Sequence, residues 1–146
     1  MESSPLATGV SFVGILVILL IVFAVSLIPA IFYILTLQKS LNRCSPENRA
    51  MAPGMVWLLL IPLFNLVWHF FVVINIAKSL GAEFQKRGIA EELEPGKKIG
   101  LIMCILACCG IVPLLGILCS LGAFVCWIIY WIKIAGFSSK LAAPAA

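Results

Sequence analysis

Apolar residues run along this chain in three long blocks, interrupted only by short charged connectors. Asp, Glu, Lys and Arg are missing from residues 3–38, 50–77 and 99–132, which together hold 98 of the 146 residues. A helix that crosses a bilayer needs about 20 apolar residues to span a hydrocarbon core of about 30 Å. The first block supplies one such helix over 10–37, with Pro29 as a place to kink. The second supplies one over 55–77, opened by Pro53-Gly54, with Trp57 near its start where an interfacial ring belongs. Pro62 has no N–H to give, which frees a carbonyl near Leu58 on the turn before.

The third block is too long for one crossing, since its 34 residues would rise about 51 Å as a single helix. Gly110-Ile-Val-Pro113-Leu-Leu-Gly116 offers a break, because proline removes a donor and disfavours helix at the residue before it. Two helices, over 98–111 and 113–135, then make a tight hairpin. The first is short for a full crossing and relies on Lys97 and Lys98 reaching to the interface. The pattern thus predicts an all-α integral membrane protein, one membrane domain over 1–146 with four transmembrane helices as two hairpins. The alternative is three helices, the third long and kinked.

The connector 78–97 has its own periodicity. Ile76, Leu80 and Phe84 recur every fourth residue, so the second helix continues past the membrane with one apolar stripe. Glu83 faces Lys86 and Arg87 at helical spacing, a modest surface pairing. Gly88 is a natural stop, Glu91-Glu92-Leu93-Glu94 an exposed acidic patch, and Pro95-Gly96 a turn back towards the membrane. A weak internal repeat lays Val67–Ala77 on Val125–Ala135 with four of eleven positions matching, which implies that the second and fourth helices run the same way.

Composition closes off the other classes. The chain is 63% hydrophobic and 11% charged, with mean hydropathy +1.17. A soluble domain of this size leaves too much of its surface in water to hide that many apolar side chains. The ten Lys and Arg sit in connectors and are not interleaved with aromatics, so nothing points to nucleic acid. With four helices and both termini cytoplasmic, seven basic residues fall inside and Lys39, Arg43 and Arg49 outside, in line with the positive-inside rule. The first helix alone argues the other way, with Glu2 before it and Lys39 and Arg43 after it. No basic segment precedes the first apolar run, so that run reads as a retained helix and not as a cleaved signal.

Small residues supply packing faces, on which membrane helices rely in place of burial from water. Gly100, Cys104 and Cys108 line one face of the third helix, and Gly116, Ser120 and Gly122 lie on the fourth. Cys104 and Cys108 have helical spacing and no nearby histidine, so a metal site is not expected; a disulfide or thiol switch among Cys44, Cys108, Cys109 and Cys119 stays open. Trp127, Tyr130 and Trp131 before Lys133 read as an aromatic belt with a basic anchor.

Polar residues within membrane segments are rare and often functional. Asn65 and His69 share a face of the second helix, with Asn75 further along. They read as an interhelical clamp, with Asn65 and His69 bonding Ser26, Tyr33 or Thr36 of the first helix, or else as lining for an ion or solute path. No carboxylate lies in any apolar block, which disfavours coupled transport. No Ser-His-Asp grouping, His-Glu-x-x-His, Walker loop or Gly-x-Gly-x-x-Gly occurs, so neither an enzyme nor a cofactor is expected.

The segment Pro53-Gly-Met-Val-Trp57-Leu-Leu-Leu-Ile-Pro62-Leu-Phe-Asn65-Leu-Val-Trp68, with its Ile76-Ala77 and Leu80 exit, resembles small uncharacterised bacterial multi-pass membrane domains. The resemblance covers about a third of the chain and implies a bacterial inner-membrane setting and four helices; it brings no activity. The expected role is a structural or accessory subunit that self-associates or joins a larger membrane complex. The alternative is a small channel or carrier with its path at Asn65 and His69.

Overall fold

A computed structural model describes residues 5–112 and 115–142, and it is all-helical, with 81% helix. Helix α1 is Pro5–Arg43; short 3-10 helices follow at Pro46–Asn48 and Pro53–Leu60; then come α2 (Phe64–Lys86), α3 (Lys97–Cys109) and α4 (Gly116–Lys140). The chain divides into two compact units, Met1–Phe32 and Tyr33–Ala146.

In the first unit, side chains from Phe12 to Phe23 are exposed, as lipid-facing residues would be. Pro29 lies inside α1 without ending it. Its ring denies the helix one hydrogen bond, a loss that tertiary context absorbs in many membrane helices.

Among the described residues, three helices are long and apolar enough to cross a membrane: Phe12–Arg43, Phe64–Lys86 and Gly116–Lys140. The third expected span, 98–111, is α3, whose 13 residues fall short of the required length. The second, 55–77, is not one helix. Its first part is the 3-10 segment Pro53–Leu60, and α2 begins only at Phe64. Leu63 between them has φ 59° and ψ −52°, and the Phe64 N–H donates to the Pro62 carbonyl at 2.5 Å. That is the strained form of γ-turn. The Leu58 carbonyl expected to be free accepts from the Ile61 N–H at 3.2 Å. Pro113, on which the second expected break rests, lies outside the described residues; Gly110 to Val112 turn the chain through main-chain bonds back to Leu106, Cys108 and Cys109.

Both breaks make hairpins, one from the 3-10 segment into α2 and one from α3 into α4. Trp68 Nε1 donates to the Met55 carbonyl at 3.0 Å across the first. The second is packed through glycines: a Cβ on Gly116 would lie 2.7 Å from the Gly110 carbonyl oxygen, and one on Gly122 3.3 Å from Leu106 Cδ1. The core of the second unit holds Tyr33, Ile34, Leu37 and Leu41 of α1, Val72, Val73, Ile76, Leu80 and Phe84 of α2, and Tyr130 and Ile134 of α4. The C-terminal ends of α2 and α4 meet where Arg87 Nη1 donates to the Leu141 carbonyl, so the two helices run the same way.

The consequence is a single charged end. An up-and-down four-helix bundle would put connector 44–52 and connector 87–96 on opposite ends. Instead Arg87 Nη2 donates to the Arg43 carbonyl at 3.2 Å, and Arg43 Nη1 donates to the Ser138 carbonyl at 2.5 Å. The ends of α1, α2 and α4 thus meet. Arg43, expected apart from Arg87, thus lies beside it, because the chain reverses at Pro62.

Candidate functional site

Two polar clusters sit in the second unit. The first surrounds His69. Tyr33 Oη and His69 Nε2 are 2.8 Å apart and hydrogen-bonded, so α1 and α2 are joined by the only histidine in the chain. Tyr33 is also ringed by Trp127 and Trp131, with centroids at 5.3 and 6.0 Å. Trp131 Nε1 donates to Thr36 Oγ1 at 2.9 Å. The rings expected as an interfacial belt are therefore packing and hydrogen-bonding partners of α1, and Tyr130 is 1% exposed. They share a face with Tyr33 because positions 127, 130, 131 and 134 follow the helical repeat.

A cavity of about 60 Å³ opens beside this cluster, lined by Asn65, Leu66, His69, Cys104 and Ala107. Asn65 Oδ1 and the Tyr130 hydroxyl are buried with no hydrogen-bond partner among the described residues. Asn65 and His69 thus share the expected face, with His69 meeting Tyr33 and Asn65 facing the cavity. Ser26 bonds its own helix through the Phe23 carbonyl. Asn75 also turns inward on its own helix, donating to the Phe71 carbonyl at 2.7 Å.

Of the packing residues, Gly100 and Cys104 are buried and Cys108 is exposed, because the last turn of α3 is left uncovered. A Cβ on Gly100 would lie 2.5 Å from Val73 Cγ1 and 2.9 Å from Tyr130 Cε2, so α2, α3 and α4 meet at this glycine. Ser120 faces Gly110, where a Cβ would come within 2.8 Å of its Oγ. All six thiols are free, and among the described residues no group of three or more His, Cys, Asp and Glu is placed to hold a metal ion.

The second cluster was not legible as a site. Glu83 is 1% exposed, where a surface pairing was expected. It accepts from the Ser45 N–H at 2.8 Å, Ser45 Oγ at 3.2 Å, Asn48 Nδ2 at 2.8 Å and Arg87 Nε at 2.8 Å. Arg87 reaches on to the carbonyls of Leu141 at 2.9 Å and Arg43. One carboxylate and two guanidinium groups so fasten connector 44–49 and the ends of α1, α2 and α4. Burying the Glu83 carboxylate is tolerable because both of its oxygens are hydrogen-bonded. The spacing of Glu83 and Arg87 is the sole trace in the sequence; Ser45 and Asn48 lie 38 and 35 residues away.

Cys44 adjoins this cluster, and burial, helped by the Glu83 charge, pushes its thiol up to about 11. In the acidic patch, Glu94 pairs with Lys97 at 2.6 Å and Glu91 with Lys140, while Leu93 is 73% exposed. No family model, curated protein or solved structure matches the chain.

Proposed function

We propose that the protein is a non-catalytic membrane component, a structural or accessory subunit that associates with itself or with a larger assembly, in a setting such as the bacterial inner membrane. The observation that carries this reading is how the polar groups are spent. His69 is engaged by Tyr33, and Glu83, Arg87 and Arg43 by one another and by main chain. The bare outer faces of α3 and α4 are apolar: Ile102 and Ile105 of α3 and Leu121, Phe124 and Val125 of α4 are all exposed. Crosslinking in native membranes followed by mild solubilisation tests this. A discrete assembly is expected, and a monomer in every lipid and detergent contradicts it.

A second reading, a small channel or carrier, is favoured by the unpartnered Asn65 Oδ1 at its cavity. About 60 Å³ has room for a few water molecules and no more. Flux through protein in liposomes, altered by His69→Ala, supports this reading; no flux from intact assemblies opposes it.

A further inference from the structure

Four lysines stand exposed, one on each helix: Lys39 of α1, Lys78 of α2, Lys98 of α3 and Lys133 of α4. Lys39 lies one turn before Arg43, Lys78 a little over one turn before Glu83, and Lys133 the same before Ser138, and those three residues belong to the joined ends of their helices. Lys98 lies beside Gly96, where an added Cβ would touch Ile134 and Tyr130 of α4. None of the four is in an ion pair among the described residues. Exposed lysines with apolar stems, set towards the joined ends of the helices, suit a headgroup boundary.

Beyond that belt the second unit is uncharged to its tips. From Lys78 to Phe64, α2 rises about 21 Å; from Lys133 to Gly116, α4 rises about 26 Å; from Lys98 to Cys109, α3 rises about 17 Å. A hydrocarbon core is about 30 Å thick and each leaflet supplies about half. The tips thus pass the midplane and stop short of the far headgroups. They are apolar and bare: Leu63 is 85%, Ile111 67%, Ile117 78% and Leu118 73% exposed. A turn at a water interface would carry polar residues, whereas these carry Ile61-Pro62-Leu63 and Ile111-Val112. Main-chain donors in hydrocarbon need partners. Ile61, Phe64, Asn65 and Leu66 at one tip, and Gly110, Ile111 and Val112 at the other, find theirs within the turn.

From this geometry we infer that the described residues of the second unit, 33–112 and 115–142, enter the bilayer from one side only. Both hairpins re-enter, their tips lie among lipid acyl chains, and connectors 44–52 and 87–96 and residue 142 share one aqueous face behind the lysine belt. This rests on membrane residence and not on the accessory role proposed above.

Single cysteines in sealed vesicles of known orientation test it. The exposed or half-exposed Cys108, Cys109, Cys119 and Cys126 are replaced by alanine, and Glu47→Cys, Leu93→Cys, Ala142→Cys, Leu63→Cys and Ile117→Cys are introduced one at a time. A charged maleimide is expected to label positions 47, 93 and 142 from the same face. Positions 63 and 117 are expected to resist it from both faces, because a thiol among acyl chains does not ionise, and to react only once the protein is unfolded in sodium dodecyl sulfate, with the labelled peptide identified by mass. Labelling of 47 and 93 from opposite faces, or of 63 or 117 by the charged reagent from the face opposite to 93, overturns the inference. Should the alanine background fail to fold, trypsin on the unaltered protein gives the same answer: cleavage at Arg49 and at Lys86 or Arg87 from one shared face supports it, and cleavage from opposite faces refutes it.

Discussion

Arg87 hydrogen-bonds the main-chain carbonyl of Arg43 at 3.2 Å, so the end of α2 is fixed to the end of α1. Arg87 is held in place for this by Glu83, one turn before it. A carboxylate that is 1% exposed and takes four hydrogen bonds cannot be lost without leaving a guanidinium and several donors unmatched.

Glu83→Ala is therefore expected to cost about 3 kcal/mol, the low end for breaking a buried pair, since Arg87 keeps some access to water. Glu83→Gln, which keeps part of the hydrogen bonding, should cost less. Glu47→Ala removes a pair whose side chains are both at least half exposed and should leave the melting temperature unchanged. Thermal unfolding in one detergent, followed by circular dichroism, compares the three.

Tyr33 and His69 join α1 to α2 at 2.8 Å. Polar pairs within membranes are worth modest amounts, on average about 0.6 kcal/mol. A double-mutant cycle with Tyr33→Phe and His69→Ala should return a favourable coupling of about 0.5 to 1.5 kcal/mol. Additive single effects would show that the pair contributes nothing.

Gly100 is where three helices touch, and Gly54 has nothing within 4 Å of an added Cβ. Gly100→Ala should destabilise by about 1–3 kcal/mol through overpacking against Val73 and Tyr130. Gly54→Ala should be near neutral in the same unfolding assay.

Leu63 adopts a conformation that side-chain-bearing residues avoid, at φ 59°. Such strain costs on the order of 1–3 kcal/mol. The side chain is 85% exposed, so it gives up little protein contact on removal. Leu63→Gly is expected to hold or raise stability, and the β-branched Leu63→Val to lower it.

Much of this was legible before the structure, and what was not has a physical pattern. The apolar blocks gave the membrane helices, and the shared face of Asn65 and His69, with Tyr33 among its possible partners, foretold the bond between α1 and α2. The turn at Pro62 is not legible in the sequence because Ile61, Pro62 and Leu63 carry none of the polar residues that mark turns in water. Reading 55–77 as one helix therefore puts its two ends at opposite ends of the fold. The sequence predicts only a surface pair for Glu83, because helical spacing reveals a neighbour but not burial, and its other partners come from a distant connector. Asn75 looked like an interhelical contact, but a side chain can also bond the carbonyl one turn back, as it does with Phe71.

Cys44 offers a pH test. Its thiol is pushed up to about 11 by burial and by Glu83. The thiolate is the reactive form, so at neutral pH the folded protein should react very slowly with a water-soluble maleimide at this position. The rate should climb about tenfold per pH unit towards 11. The raised value also means that the folded state favours the protonated thiol; that contribution to stability is complete below the ordinary value of 9.0 and is lost as pH rises towards 11. Mass-resolved labelling of a variant keeping Cys44 measures the rate.

The central claim is that the apolar helices reside in a bilayer, with their charges gathered at one end. Alkaline carbonate extraction of native membranes tests it most directly. The protein is expected to stay with the lipid pellet and to leave it only on addition of detergent; its appearance in the carbonate supernatant would contradict the account.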